Sequence, residues 1–115
     1  MEKYINYCLK LAYKNALKSE LPISAIIVRN NKIISKAANR KNLDNNVLKH
    51  AEIIAIQKAS KKLKRWNLND CIMIVTLRPC KMCEYVIRES RIKKVYYLLE
   101  KLEYKKTYKN TDFIL

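Results

Sequence analysis

Apolar residues recur along the chain with two spacings, one typical of helices and one typical of buried strands. Over residues 2–18 they fall three or four positions apart, which predicts a helix with one apolar face: Ile5, Leu9, Ala12, Ala16 and Leu17. The stretch ISAIIV at 23–28 is short, apolar and rich in β-branched residues, which predicts a buried strand. Asn30 and Asn31 follow, and in a chain without glycine asparagine is the residue that best tolerates positive φ. We therefore predict a hairpin turn there and a returning strand over 32–38.

A polar, irregular stretch at 39–49 predicts a loop, and after it helical and strand patterns alternate again. We predict a helix over 50–63, a buried strand over 71–77, a helix over 79–90 with Pro79 in its first position, and a strand over 92–99. Strands that alternate with helices imply a sheet covered on both faces. The first two strands would pair as a hairpin and the later ones would be joined by right-handed helical crossovers, so the fold class is α/β.

Length and composition limit the class of protein. The 115 residues suffice for one domain over 1–115, which we divide into a core over about 1–99 and a short basic tail over 100–115. Half of the residues are hydrophobic, which argues against disorder, yet no apolar run reaches the roughly 18 residues of a membrane span. The first 20 residues carry scattered charges, which is atypical of a signal peptide. We therefore expect a cytoplasmic protein, in which neighbouring cysteines favour metal or redox roles.

The formal net charge of +15 suggests a polyanionic partner, most often nucleic acid. Positive charge is densest in one short stretch: Lys58, Lys61, Lys62, Lys64 and Arg65. The chain is also rich in Lys, Asn and Ile, a bias that AT-rich coding would give to any protein. Charge alone therefore leaves nucleic-acid binding and coding bias as equal explanations.

Four residues carry the sharpest chemical signal: His50, Glu52, Cys80 and Cys83. The segment PCKMC at 79–83 places two cysteines on one face of a predicted helix start, where the helix dipole favours thiolates. Such a pair could be a redox couple, half of a structural zinc site or part of a catalytic one. The segment HAE at 50–52 also lies at a predicted helix start, and a redox couple would not explain it. Together the two segments favour a catalytic zinc site.

One histidine and two cysteines leave a fourth metal position open, whereas structural zinc sites are closed by four protein ligands. A fourth protein ligand is hard to find, because the chain has a single histidine and its remaining cysteines, Cys8 and Cys71, are isolated in apolar segments. Zinc lowers the pKa of bound water, and a nearby carboxylate can pass the water's proton to a substrate nitrogen. We therefore predict one zinc ion per subunit and Glu52 as the catalytic residue.

At this point the chain resembles the zinc-dependent cytidine/deoxycytidylate deaminase superfamily, and within it the bacterial tRNA-specific adenosine deaminases. The resemblance covers about residues 1–95 and rests on four stretches: ELPISAIIVRNNKIISKAANR, KHAEIIAI, VTLRPCKMC and SRIKKV. The spacing also matches, with 17 positions from Pro22 to Asn39, 11 from Asn39 to His50 and 30 from His50 to Cys80. The resemblance implies a three-layer α/β/α cytidine-deaminase-like fold with a mixed sheet of four to five strands.

The resemblance further implies hydrolytic deamination of adenosine to inosine at the wobble position of a tRNA anticodon. His50, Cys80 and Cys83 would hold zinc, and Glu52 would move protons between the water, the base and the leaving ammonia. Asn39 would contact the substrate nucleoside, and the Ala51 backbone, Pro22 and Ile23 would form walls of its pocket. The partners implied are a tRNA anticodon stem-loop and a second copy of the chain in a homodimer, without a membrane.

Three features depart from the family pattern. Ser24 stands where the family usually has glycine, and Arg78 stands where it usually has glutamate. We expect the terminal helix of the family to be missing and 111–115, TDFIL, to be a remnant edge strand. Two other functions stay open: deamination of a free base, nucleoside or nucleotide such as guanine, cytosine or deoxycytidylate, and a non-catalytic, zinc-stabilised RNA-binding module. Arg78 is either a solvated residue or a contact to a phosphate backbone.

Overall fold

Seven elements follow one another in residues 1–101, the part of the chain that the computed structural model describes. They are α1 Glu2–Ala16, β1 Ser24–Arg29, β2 Lys32–Ala38, α2 Ala51–Leu63, β3 Ile72–Leu77, α3 Lys81–Glu89 and β4 Lys94–Leu99. The predicted order of helices and strands is confirmed, and each boundary falls within two residues of its predicted position. The spacing of apolar residues was therefore sufficient to place every described element.

The turn between β1 and β2 has the predicted backbone. Asn30 and Asn31 have φ values of 49° and 61°, and the flanking residues Arg29 and Lys32 are paired across the two strands. Two consecutive positive φ values are what a tight two-residue hairpin needs to match the twist of its strands. Asparagine thus replaces glycine at both positions of this turn.

The four described strands form one mixed sheet in the order β2-β1-β3-β4. Strand β1 runs antiparallel to both of its neighbours, whereas β3 and β4 are parallel and joined through α3. Alternate residues of the central strands face opposite layers: Ile26 and Ile74 pack with α1, while Ile27 and Val75 pack with α2 and α3. This arrangement is the three-layer α/β/α fold that was predicted.

The start of α3 corrects one prediction. Pro79 is not in the first helical position, because the helix begins at Lys81 and Cys80 is its N-cap residue. Cys80 has extended dihedral angles of φ −69° and ψ 171°, so the chain is still extended one residue beyond the proline. The fixed φ of proline suits an extended segment as well as a helix start, which is why its position misled the prediction.

Residues 102–115 lie outside the described part of the chain, and with them the edge strand predicted at 111–115, the expected absence of a terminal helix and most of the basic tail. None of the helices within residues 1–101 combines the length and the apolar character needed to cross a bilayer.

Candidate metal centre and active site

The N-termini of α2 and α3 converge and carry the three predicted metal ligands. His50 is the N-cap residue of α2 and Cys80 is that of α3, and neither side chain caps its own helix. Both residues have extended backbones, and their carbonyl groups accept the first helical hydrogen bonds, from Ile54 and Glu84 respectively. The side chains that would ordinarily cap the two helices are therefore directed to each other instead.

The ligand atoms lie at distances that suit a single zinc ion. The His50 Nδ1 atom is 3.8 Å from the Cys80 Sγ atom and 3.4 Å from the Cys83 Sγ atom. All three ligand atoms lie within 4.8 Å of one another. Tetrahedral bonds of about 2.0–2.1 Å to nitrogen and about 2.3 Å to sulfur would place such atoms roughly 3.5–3.8 Å apart. The two distances from the His50 Nδ1 atom therefore match those expected in a zinc site.

The electrostatic surroundings also favour a cation at this position. Burial, and after it the charge of Lys41, lower the pKa of His50, so its imidazole is neutral and able to bind a metal. Burial raises the pKa of the fully buried Cys83 thiol, and the neighbouring Glu52 and Cys80 raise it further. A divalent cation reverses this effect, because it deprotonates a coordinating thiol. The positive ends of two helix dipoles stabilise the resulting thiolates.

Glu52 is a buried carboxyl group in direct contact with this cluster. It lies in the first turn of α2, is only 4% exposed and shares a hydrogen bond with the Cys83 side chain. Burial raises the pKa of Glu52 above its ordinary value, and its hydrogen bonds only partly oppose this. A carboxyl group with a raised pKa can both accept and return a proton near neutral pH, as a general acid-base group must.

Three of the four predicted pocket residues meet beside α2. Asn39 is 2% exposed, and its side-chain oxygen accepts a hydrogen bond of 3.3 Å from the Ala51 backbone N–H. The Asn39 backbone N–H donates to the Ile23 carbonyl oxygen at 2.9 Å. Pro22 precedes Ile23, and its carbonyl oxygen accepts from the Thr76 hydroxyl at 3.4 Å on β3. Their contact with substrate stays a prediction.

Ser24, which replaces the usual glycine, is accommodated without loss of packing. The residue is fully buried at the start of β1, and its hydroxyl donates a 2.5 Å hydrogen bond to the Cys8 carbonyl oxygen on α1. Its backbone N–H donates to the Thr76 hydroxyl at 3.1 Å. Because the buried hydroxyl has a partner, the additional oxygen does not leave an unsatisfied polar group beneath the pocket.

Arg78, which replaces the usual glutamate, contacts β4 and the residue after it. Its Nη1 atom donates to the Tyr97 hydroxyl at 3.1 Å and lies 3.4 Å from the Glu100 carboxylate. The guanidinium group also lies 5.5 Å from the centre of the Tyr97 ring, within the range of a cation–π contact. The Arg78 side chain therefore has partners within the protein, which neither of the two interpretations from the sequence included.

The dense basic cluster lies at the far end of α2 from the metal ligands. It begins at Lys58 and ends at Arg65, whereas His50 is the N-cap of the same helix. A rise of 1.5 Å per residue separates His50 from Lys64 by about 20 Å. Any polyanion that contacts both places must therefore extend along the protein surface.

Glu20 and Asn15 are buried polar residues that the sequence analysis missed. Glu20 is 5% exposed and lies just after α1, and Asn15 is 4% exposed and lies in the last turn of that helix. Asn15 donates hydrogen bonds to the carbonyl oxygens of Leu21 and Asn39, at 2.8 Å and 2.9 Å. Neither residue belongs to a short motif. The available signal was only that Glu20 opens the first stretch shared with the deaminases.

Comparison with known proteins identifies the class that this fold and this donor set define. Residues 1–99 match the cytidine and deoxycytidylate deaminase zinc-binding region, and the chain belongs to that family. The resemblance drawn from the sequence is thereby confirmed.

Individual relatives are more specific. The chain is similar to the tRNA-specific adenosine deaminase of Rickettsia bellii, with 48% identity over 82 residues, 70% of this chain and 57% of that protein. It superimposes with a TM-score of 0.82 and 33% identity on a structure from a study of A-to-I editing by tRNA:A34 deaminases, covering 85% of this chain and 75% of that one. A guanine deaminase of Bacillus subtilis gives the same TM-score and identity, covering 85% and 63%. The chain spans 55–63% of the length of the curated relatives compared with it.

Proposed function

We propose that the protein is a zinc-dependent hydrolase that deaminates adenosine to inosine at the wobble position of a tRNA anticodon. The observation that carries the proposal is the contact between the buried Glu52 carboxyl group and a three-ligand site built from His50, Cys80 and Cys83. The choice of adenosine in tRNA is supported by the relatives, several of which are tRNA-specific adenosine deaminases with 36–48% identity to this chain.

His50, Cys80 and Cys83 would hold the zinc ion and leave one position for a water molecule or substrate. When bound, zinc supplies Lewis-acid activation, which brings the pKa of a water molecule toward neutrality. Two thiolates balance the double positive charge, and the neutral imidazole adds none. This balance moderates the acidity of the water, so a nearby proton acceptor becomes more important.

Glu52 would supply that proton acceptor. It takes a proton from the attacking water as the new bond forms between the water oxygen and C6 of the purine. It then delivers that proton to a ring nitrogen of the base. A second proton, taken from the hydroxyl group now on C6, is passed to the exocyclic amino group, which leaves as ammonia when the C6–N bond breaks. One water is consumed, and one inosine and one ammonia are produced, so Glu52 ends as it began.

Asn39 would hydrogen bond to the substrate nucleoside, while the Ala51 backbone, Pro22 and Ile23 would border its base. These four roles are carried over from the family at matching positions of the sequence. The observations that support them are the burial of Asn39 and its hydrogen bonds to the Ala51 and Ile23 backbones, beside the helix that carries Glu52.

The target base must leave its stack to reach a buried carboxyl group, and this is easier in a single-stranded loop than in a duplex. An anticodon loop meets that condition. The net charge of +15 would attract its phosphates, and we propose direct RNA binding on that basis.

We also propose a cytoplasmic homodimer in which each subunit is a single deaminase domain over 1–115, with a core over about 1–99 and a short basic tail over 100–115. Reduced thiolate ligands are expected in the cytoplasm. For a dimer, support comes from large apolar side chains exposed near the site, with Val47 63%, Leu48 55% and Tyr85 73% exposed. Light scattering at micromolar concentration tests this proposal, and a monomer would refute the dimer.

The test of the function is to incubate the zinc-loaded protein with a tRNA bearing adenosine at the wobble position and to sequence the product for inosine. Guanine and cytidine are offered in parallel, because a guanine deaminase matches this fold equally well. Inosine in the tRNA supports the proposal. Turnover of a free base or nucleoside with none on the anticodon stem-loop would favour the alternative deaminase, and no turnover of any substrate would favour a non-catalytic RNA-binding module.

A further inference from the structure

A buried carboxylate outside the metal site holds the loop that leads to His50. The Glu20 Oε1 atom accepts hydrogen bonds from the backbone N–H groups of Asn42 and Leu43, at 2.6 Å and 2.8 Å. Its Oε2 atom accepts from the Leu21 backbone at 3.0 Å and from the Asn42 side chain at 3.2 Å. An ionised carboxylate accepts on both oxygens and carries no proton that needs an acceptor, so this set of donors favours the ionised form.

The Asn39 side chain also lies close enough to this carboxylate to lower its pKa. The Asn39 side-chain oxygen is already used, since it accepts from the Ala51 backbone N–H. The Asn39 NH₂ group is therefore the part of this amide that is left to face the Glu20 carboxylate. Because Glu20 can only accept and the Ala51 N–H can only donate, the orientation of the Asn39 amide is fixed from both sides.

The rest of Asn39 is equally constrained. Its backbone N–H donates to Ile23, and its carbonyl oxygen accepts from the Asn15 side chain at 2.9 Å. The 40–46 loop that follows is closed by hydrogen bonds from Asp44 to the Arg40 carbonyl oxygen and from Asn46 to the Lys41 carbonyl oxygen. It continues to Lys49, whose carbonyl oxygen accepts from Arg40 one residue before His50.

We infer that Glu20 is a positioning residue for this reaction: its carboxylate fixes the side-chain amide of Asn39 and anchors the 40–46 loop beside α2. With one N–H of the amide donated to Glu20, the second N–H remains to meet a hydrogen-bond acceptor on the substrate nucleoside. This inference rests on the proposed function, because it assumes that Asn39 contacts the substrate. Glu20 acts through Asn39 and does not touch the reacting atoms.

The charge state of Glu20 agrees with this role. Burial opposes ionisation, but the backbone N–H groups of Leu43, Leu21 and Asn42 and the Asn39 side chain outweigh it and lower the pKa of Glu20. Asp44 offers a matched contrast in the same loop. Its carboxylate pairs with Arg40 at 2.9 Å at the protein surface, where ion pairs contribute little.

The experiment compares Glu20→Gln with Asp44→Asn in the full, zinc-loaded chain. Glu20→Gln replaces one accepting oxygen by an NH₂ group that faces other donors, so kcat/KM on the tRNA substrate should fall about 10- to 100-fold while zinc content stays at one per chain. Asp44→Asn should stay within twofold of the parent. A value for Glu20→Gln within threefold of the parent would overturn the inference.

A double-variant cycle separates positioning from general stabilisation. If Glu20 acts through Asn39, Glu20→Gln should reduce kcat/KM by less than threefold when it is added to Asn39→Ala. Fully additive losses would show that Glu20 acts by another route and would overturn the inference. If Glu20→Gln does not fold, the same double-variant cycle with Asn39→Ala is measured for Glu20→Asp, which keeps the negative charge but has a shorter side chain. The same two outcomes then support or overturn the inference.

A readout without substrate keeps this test apart from the proposed function. In the NMR spectrum of the zinc-loaded chain, the Asn39 side-chain NH₂ protons should exchange slowly, and they should shift and exchange faster in Glu20→Gln but not in Asp44→Asn. If these protons respond as described and the parent chain does not act on tRNA, the proposed function fails and the Glu20–Asn39 contact stands. If they do not respond to Glu20→Gln, the inference fails regardless of activity.

Discussion

Two segments lead into the helices that carry the metal ligands, and they differ in how far they leave the sheet. Only Arg78 and Pro79 separate β3 from Cys80, and the Arg78 N–H still donates to the Leu99 carbonyl oxygen on β4 at 2.8 Å. By contrast, residues 39–49 form a long irregular connection between β2 and His50. Both segments nevertheless end in an extended N-cap residue whose side chain faces the same point.

The difference lies in what fixes each segment. The short one is an extension of a strand, so neighbouring hydrogen bonds of the sheet hold it in place. The long one leaves the sheet after Asn39, and Glu20, about 20 positions earlier in the chain, accepts the backbone N–H groups of Asn42 and Leu43 within it. A ligand at a strand end needs little support from elsewhere, whereas a ligand after a long loop depends on a distant side chain.

The largest expected effect comes from removing a ligand that the short segment delivers. Cys83→Ser should leave less than a tenth of the zinc content of the parent and reduce turnover by more than about a thousandfold, because two protein ligands remain of three. Metal analysis and the inosine assay measure both quantities. Cys71→Ser is the matched control, since Cys71 is equally buried but its Sγ atom bonds to Asp70 rather than to the cluster. Equal loss of zinc in both variants would contradict the assigned ligand set.

A smaller effect should appear in the pH dependence of stability, and it probes the long segment. A carboxyl group with a lowered folded-state pKa stabilises the fold above its unfolded pKa of about 4.3, and this contribution is lost as pH falls through the folded pKa. The unfolding free energy of Glu20→Gln should therefore lie about 1–3 kcal/mol below that of the parent at pH 7, and the gap should narrow below pH 4. Urea titrations from pH 3 to 7 measure this gap.

Arg40 is the charged neighbour of Glu20, so Asp44→Asn, which removes the partner of Arg40, is the control. A gap that is constant with pH would contradict the account.

The smallest effect is expected at Arg78 in the short segment. Arg78→Glu replaces its contacts with Tyr97 and Glu100 by repulsion from Glu100, which should lower the unfolding free energy only slightly at this exposed position. Because the guanidinium group is already paired, RNA affinity should change by less than threefold, with the same salt dependence. Arg88→Glu on α3, which breaks a pair with Glu84, is the matched charge reversal. If Arg78→Glu weakens RNA binding much more than Arg88→Glu, Arg78 contacts the phosphate backbone.

Most of the fold could be predicted from the sequence because it depends on local patterns. The short apolar runs ISAIIV and CIMIVT, the helical spacing after His50 and the Asn30-Asn31 turn each place an element without knowledge of its neighbours. The metal cluster could also be predicted, since its donors are rare residue types in two short motifs. Pro79 is the exception, because its fixed φ suits two different local structures.

The support of the site could not be predicted in the same way. Glu20 and Asn15 are ordinary polar residues in a chain rich in such residues, and their partners lie about 20 positions away. Their burial is decided by how α1, the 40–46 loop and the start of α2 come together in space. The spacing of residues within each of these parts gives no sign that they come into contact. The role of Ser24 could not be predicted either, because the acceptor of its hydroxyl group is a carbonyl oxygen on α1.

The central claim is that Glu52 moves protons at a zinc site formed by His50, Cys80 and Cys83, and Glu52→Gln tests it most directly. The amide keeps the size of the side chain but cannot accept the water's proton. We predict one zinc per chain in both proteins and at least a hundredfold lower rate of inosine formation in the variant, measured on a tRNA with adenosine at the wobble position. Zinc-loaded Glu52→Gln with a rate within tenfold of the parent would contradict the account.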